Sequence, residues 1–374
     1  MSIRSGVVDP LRIALTVEQC WQPVPGGSGS YIAELTRALA DVPDVTVVGL
    51  AARHGAGELP RPTPTGRVVR SRLPRAALYE SWNRLRRPRA ESIVPGADVV
   101  HATTWAVPGR AVPLVVTVHD LAFLREADHF TARGNAFFRR ALQIVRDEAV
   151  HVVVPSAATK DDCVAHGFAA ELVTVIPHGV RAEEVTAAQQ ETWRSSAGIR
   201  RPYVLWCGTL EPRKNVPRLV EAYARAAGQL DHDLVLVGPS GWGEATADVE
   251  RALEHLPAGS VHLLGRLDDA DLQAAYAGAD AFAFPSLWEG FGMPVLEAMA
   301  HGVPAVTSAG SSMAEFAVGE LVDPLDVDAI AAGLVAVIEH GPGRDEVLAA
   351  ARPYTWAASA AAHADVYRAA SAAR

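Results

Sequence analysis

AFAFPSLWEGFGMPVLEAMAHGVPAV, residues 281–306, reads as strand, loop, helix and strand in direct succession. The first apolar run ends at Pro285 and Ser286, the loop carries Glu289, and a helix begins near Met293 or Pro294. Proline is tolerated in a helix's first turn, and Gly302 stands where this one stops. A second apolar run, PAVTSA (304–309), follows at once. Strands joined by one helix lie parallel, so this stretch predicts a parallel α/β sheet.

The alternation extends in both directions. Nearby lie YVLWCG (203–208), DLVLVG (233–238) and VHLLG (261–265), with helical stretches such as VPRLVEAYARAAG between them. Farther upstream are LRIALTV (11–17), VTVVGLA (45–51), DVVHA (98–102), LVVTVHD (114–120), HVVVPS (151–156) and VTVIPHG (173–179). The polar segment from Arg181 to Arg201 has no strand signal and reads as a linker. The expectation is two Rossmann-like domains, 1–185 and 195–355, with an Ala-rich helix at 356–374. No short repeat period appears, which excludes a solenoid.

The composition is that of a soluble globular protein, 49% hydrophobic and 21% charged. A net charge of −9 argues against general nucleic-acid binding. The charge is uneven: residues 1–185 carry 21 basic against 19 acidic side chains, the remainder 13 against 24. Arg67, Arg70, Arg72, Arg75, Arg84, Arg86, Arg87 and Arg89 interleave with Leu73, Leu78, Tyr79, Trp82 and Leu85. This segment reads either as an amphipathic helix meeting anionic lipid or as a solvated connection. No apolar run approaches the ~20 residues of a membrane span. The start, with its early Glu18 and Gln19, reads as a first strand and not a signal peptide. Cys20, Cys163 and Cys207 are too scattered for zinc or a disulfide framework, so the cytoplasm is the natural compartment.

Open α/β sheets bind ligands beyond the carboxyl ends of their strands, so the residues just after strands matter most. After the first strand, Gly26, Gly27, Ser28 and Gly29 form a glycine turn, and Ser30 leads into a helix. His119 and Asp120 end the strand LVVTVHD. Arg213 and Lys214 stand before a helix starting at Asn215 or Val216, two cations suited to a diphosphate. Glu289 in its loop suits sugar hydroxyls, Glu297 suits the vicinal hydroxyls of a ribose, and the amides of Gly290, Phe291, Gly292 and Met293 suit phosphate.

In these motifs the chain resembles glycosyltransferase family 4, retaining enzymes of the GT-B fold. GGSGSY, TVHD, GTLEPRKN and EGFGMPVLE occur in family order along nearly the whole length, the last matching the family's glutamate, seven residues, glutamate pattern. The resemblance implies two Rossmann-like parallel-sheet domains facing an interdomain cleft, with the final helix returning to the first. It also implies that Gly27 and its neighbours approach the donor phosphate, that His119 lies beside the transferred sugar, and that Arg213 and Lys214 hold the diphosphate. Glu289 would hold the sugar and Glu297 the nucleoside ribose. Thr209 departs from the arginine that many relatives carry there, and Arg213 would take part of that role. The form of GTLEPRKN resembles mannosyltransferases, which points to GDP-mannose as donor, then a UDP-hexose, with a glycan or lipid-linked acceptor. No cofactor is implied.

A metal would need an aspartate pair at the right sheet edge. Asp231 and Asp233 precede a strand, and Asp326 and Asp328 suit a helix cap, so no metal is expected. Rival readings are an epimerase or phosphorylase on the same fold, a sugar-nucleotide-binding subunit without activity, and a dehydrogenase, the last opposed by the lack of GxGxxG after any strand.

Overall fold

The computed structural model describes residues 9–55, 57–125, 131–239, 249, 251–253, 256, 257 and 259–373. Residues 1–8, part of the start read above as a strand, lie outside this set. Two compact units are formed. One runs through Gly179 and resumes at Thr355; the other is Val180–Tyr354.

The first unit is built on a parallel sheet of seven strands: β1 (Leu11–Thr16), β2 (Val45–Ala51), β3 (Arg67–Arg70), β4 (Val99–Ala102), β5 (Leu114–Thr117), β6 (His151–Val154) and β7 (Val173–Val175). Their spatial order is β3-β2-β1-β4-β5-β6-β7. The sheet therefore reverses its direction of growth between β1 and β4, and a crevice opens beyond the strand ends at such a switch point. The strands are apolar runs because both faces are covered; β4 and β5 are buried throughout. The last helix, Trp356–Ala372, packs on helix Gly26–Leu39 and on β1, β4 and β5. Its capping Thr355 hydroxyl accepts from the Ala358 amide, and its Arg368 forks onto Asp44 with two bonds of 2.7 Å.

The second unit has six parallel strands: β8 (Tyr203–Cys207), β9 (Asp233–Val237), β10 (Val261–Gly265), β11 (Ala281–Phe284), β12 (Ala305–Ser308) and β13 (Gly319–Val322). Their order is β10-β9-β8-β11-β12-β13, with the reversal between β8 and β11.

Three local expectations change. The polar linker contains a helix, Ala187–Ala197, whose Thr186 and Gln189 form a reciprocal capping box and whose Trp193 is buried in the second unit's core. The glycine turn is already helix: the first turn begins at Gly26, not after Ser30. The arginine-rich segment is not one amphipathic surface helix. It contributes edge strand β3 and helix Arg75–Leu85, whose Leu78 and Trp82 face the core. Arg86 then takes a left-handed conformation (φ 55°) and is bound to the fold. Its guanidinium donates to the carbonyls of Trp82 (2.8 Å), Val107 (2.7 Å) and Pro108 (2.9 Å) and pairs with both oxygens of Glu148. Arg67, Arg70, Arg72, Arg84, Arg87 and Arg89 stay exposed. Among the described residues no helix is long and apolar enough to cross a membrane.

Candidate functional site

In the second unit the loops leaving β8 and β11 flank the switch point, and they carry Arg213, Lys214 and Glu289. Residues 212–214 make a single 3-10 turn, after which Asn215 turns left-handed (φ 59°) to start helix Val216–Ala226. Asparagine is among the few residues that adopt this conformation readily. The side chain of Asn215 is buried and donates to the carbonyls of Pro285 (3.0 Å) and Pro324 (2.6 Å), tying together the loops that follow β8, β11 and β13. A backbone bond from the Leu287 amide to the Arg213 carbonyl (2.8 Å) adds a second tie.

Drawn together in this way, the three charged groups form one cluster. Arg213 Nη1 and Lys214 Nζ each lie 2.7 Å from a different oxygen of Glu289. Arg213 also pairs with Glu211 at 3.1 Å and lies over the ring of Trp288, while the Lys214 ammonium lies 4.7 Å from the centre of the Phe284 ring. The side chains of Lys214 and Glu289 are each 9% exposed, so these charges meet with little water between them. Burial pushes the Glu289 carboxyl up, but the charges and hydrogen bonds of Arg213 and Lys214 outweigh burial and hold it at about 2. Burial pushes the Lys214 ammonium down, against the pull of Glu289. Electrically, the cluster is a carboxylate shared by two cations, with Glu211 drawing further on Arg213.

Gly292 (φ 96°) caps helix Met293–Ala300, and the hydroxyl of Ser312 donates to the Glu289 carbonyl at 2.8 Å. Gly292 has no room for a side chain, since a Cβ there would stand 2.3 Å from the Met313 side chain. The Gly290–Met293 stretch thus leads from the charged cluster straight into a helix start, where backbone amides favour an anion. Glu297 lies on the same helix but outside the ion-paired cluster. It accepts from the Tyr276 hydroxyl at 2.8 Å, and burial raises its carboxyl. The thiol of Cys207, at the end of β8, is pushed up to about 12 by burial and then by Glu297.

The first unit holds the remaining candidates. At its switch point lies a cavity of ≈ 540 Å³ whose lining includes Gln19, Gln22, Ser28, Trp105, His119 and Asp120. His119 donates from Nε2 to the Thr103 carbonyl (3.1 Å), which leaves Nδ1 as its acceptor nitrogen, and burial lowers its pKa below the ordinary histidine value. Ser28 lines the cavity and Gly27 is exposed beside it, but Gly29 is buried in the helix's first turn, where a Cβ would stand 2.4 Å from the Cβ of Pro25. Packing alone accounts for that glycine.

Behind His119 lies a buried chain of hydrogen bonds that sequence reasoning missed. His363 Nδ1 faces the Ser359 carbonyl (2.8 Å), an acceptor only, so Nδ1 carries the proton and Nε2 accepts from the Tyr31 hydroxyl (2.9 Å). The order then propagates: Thr117 donates to Tyr31 (2.8 Å), His101 Nε2 to Thr117 (2.8 Å), and Tyr367 to His101 Nδ1 (2.7 Å). Every donor finds an acceptor only while both imidazoles are neutral. Burial first, and neighbouring histidines, hold His101 well below its ordinary value and burial brings His363 to about 4. Tyr31 meets His119 edge-on, with ring centres 5.0 Å apart, so the last helix is connected to His119 through one tyrosine.

The pairs Asp231/Asp233 and Asp326/Asp328 lie where the sequence put them. Asp231 and Asp233 pair with Arg201 at the amino end of β9, and Asp326 caps helix Val327–His340.

Two family profiles match the chain, Glycosyltransferase Family 4 over residues 25–184 and Glycosyl transferases group 1 over residues 189–353. O-antigen chain mannosyltransferase B of Escherichia coli is 26% identical, the match covering 92% of this chain and 96% of that one. The MMP alpha-(1->4)-mannosyltransferase of Mycolicibacterium hassiacum is also 26% identical, over 84% and 86%. Among solved structures, Anabaena HepE in complex with UDP and glucose superposes with a TM-score of 0.76 at 20% identity, covering 96% of this chain and all of that one.

Proposed function

The chain belongs to the GT-B glycosyltransferases of family 4 and group 1, and from that premise we propose that it moves a hexose, with mannose from GDP-mannose first in order, onto a glycan or lipid-linked acceptor in cell-envelope polysaccharide assembly. The observation that carries the reading is the buried Arg213–Glu289–Lys214 cluster at the second unit's switch point. Two cations held beside a helix start suit a diphosphate, and a carboxylate between them suits the sugar hydroxyls next to it.

In this reading the donor's diphosphate replaces Glu289 as partner of Arg213 and Lys214, while Glu297 takes the ribose. The bond from the sugar's C1 to the phosphate oxygen breaks, and the acceptor oxygen bonds to C1 on the same face. The acceptor's proton goes to the departing phosphate oxygen. No enzymatic nucleophile is needed, and the configuration at C1 is retained. Arg213 and Lys214 act on charge that grows as the bond breaks, which lowers the barrier and not merely the ground state. The two cations and the helix amides can carry the charge a metal would neutralise, which supports reading the transfer as metal-independent.

Mannose as the transferred sugar rests on the two mannosyltransferase relatives; a UDP-hexose is the second reading, supported by the UDP and glucose complex of the Anabaena protein. A non-catalytic subunit is disfavoured because His119, Lys214, Glu289 and Glu297 are all present. The enzyme would act in the cytoplasm, with any contact to the membrane's inner face made by the exposed arginines between Arg67 and Arg89. Thermal unfolding in the presence of GDP-mannose, UDP-glucose and UDP-galactose tests the donor. GDP-mannose should raise the midpoint most; protection by a UDP-sugar alone selects the second reading, and protection by none contradicts both.

A further inference from the structure

The cavity of the first unit has a wall that the reading above leaves unused. Tyr79, Trp105, Phe137 and Phe138 line it, each half-buried. The rings brace one another: Tyr79 stacks with Phe137 at 6.3 Å, Phe137 meets Phe138 edge-on at 5.7 Å, and buried Phe123 bridges Phe138 (5.3 Å) to Trp105 (5.2 Å). Besides Ala76, Ala106 and Gly134, the rest of the lining is polar and includes two side-chain amides, Gln19 and Gln22, and the carboxylate of Asp120.

We propose that this cavity seats the accepting end of the acceptor as an uncharged pyranose ring laid on the aromatic wall, with its hydroxyls taken by Gln19, Gln22 and Asp120. The proposal rests on the glycosyl-transfer reading and names the class of acceptor. A pyranose carries C–H bonds on its faces and hydroxyls around its rim. The negative face of an aromatic ring attracts the polarised C–H groups, and planar amides and carboxylates match the rim. A fatty chain would match the rings but would desolvate Gln22, the Gln19 carbonyl oxygen and the second oxygen of Asp120, whereas Gln19 Nε2 already donates to the Pro25 carbonyl (2.9 Å) and Asp120 Oδ1 already accepts from the Ala122 amide (3.0 Å). An anionic head group fits worse: among the described lining residues, Arg133 is the one cation, against the carboxylates of Glu80 and Asp120. At ≈ 540 Å³ the cavity is of the size that takes small organic ligands, about 300–1,000 Å³. His119 lines the same space, which brings the acceptor next to the residue assigned to the transferred sugar.

The test is binding of methyl α-mannoside, methyl α-glucoside and their 6-phosphates to the full chain without donor, followed by saturation-transfer NMR. At least one neutral glycoside should bind about tenfold tighter than its own phosphate, because the phosphate would meet two carboxylates, Glu80 and Asp120, against the single cation Arg133. Trp105→Leu and Phe137→Leu keep apolar bulk but lose the aromatic face, and each should weaken binding about three- to tenfold. Gln22→Ala, which leaves the wall intact, should weaken it as well. Equal or tighter binding of the phosphates, leucine variants that bind as the parent does, or no neutral glycoside bound would each overturn the proposal. With donor present, the leucine variants should raise the acceptor KM while moving the donor KM less than about twofold. A chain that binds glycosides as described but transfers nothing refutes the transfer reading and leaves the cavity's assignment standing.

Discussion

Replacing Glu289 by glutamine removes one negative charge and little else, and the consequence follows from the cluster's geometry. The carboxylate neutralises Arg213 and Lys214 at 2.7 Å each, and its pKa falls from 4.5 to about 2. At ~1.4 kcal/mol per unit, that depression corresponds to about 3 kcal/mol of differential stability, comparable to the cost of breaking a buried pair. Because the folded pKa is the lower one, this stability is present above pH 4.5 and lost as pH falls toward 2. Urea denaturation of the full chain should therefore show Glu289→Gln less stable by about 3 kcal/mol at pH 7, with the gap closing below pH 4.5. The freed cations have a second effect. A nucleoside diphosphate, which bears the phosphates but no sugar, should bind the variant as tightly as the parent or several-fold tighter, even as turnover drops. Calorimetry with GDP or UDP measures this directly. A variant equally stable at pH 7, or one that binds the diphosphate more weakly, would show that the cluster does not work as a charge-sharing unit.

Lys214→Ala acts in the opposite sense: losing a charge-assisted contact should weaken both donor and free diphosphate by about 1.5–3 kcal/mol, and equal product affinity in parent and variant on calorimetry would refute that contact. Transfer should persist in excess chelator, and a loss restored by magnesium or manganese would reassign the charge stabilisation to a metal. Arg86→Gln removes the donor to three carbonyls and one of the two cations on Glu148, and should lower the thermal midpoint without changing vesicle binding. Replacing Arg84, Arg87 and Arg89 by glutamine should leave the midpoint nearly unchanged and reduce co-sedimentation with anionic vesicles by about 1 kcal/mol per cation; sedimentation that ignores lipid charge removes the membrane contact.

Most of the sheet was legible because buried parallel strands are continuous apolar runs. The strands that escaped, β3 and β13, are four-residue edge strands with a single buried residue between them, Val322, and RVVR and GELV carry no run to read. Helix Ala187–Ala197 reads as a linker because its surface is polar, although the Thr186 and Gln189 spacing is a readable start signal. The candidate residues of the second unit were found individually, but not that Glu289 would pair with Arg213 and Lys214. That pairing depends on β8 and β11 being neighbours, and alternation along a chain does not state strand order. The role of Asn215 had a local cue in an asparagine, a residue tolerant of left-handed turns, standing just before a helix, whereas the His101, Tyr31 and His363 network had none. It exists only once the last helix lies against β4 and β5.

The central claim is hexosyl transfer with retention from a nucleotide sugar to an acceptor hydroxyl. The most direct test incubates the chain with the protecting α-linked nucleotide sugar and the glycoside it binds, and reads the anomeric configuration of the product from its C1–H1 coupling by NMR. The account predicts an α-linked product formed together with free nucleoside diphosphate. A β-linked product, or diphosphate released with no glycoside formed, would contradict it.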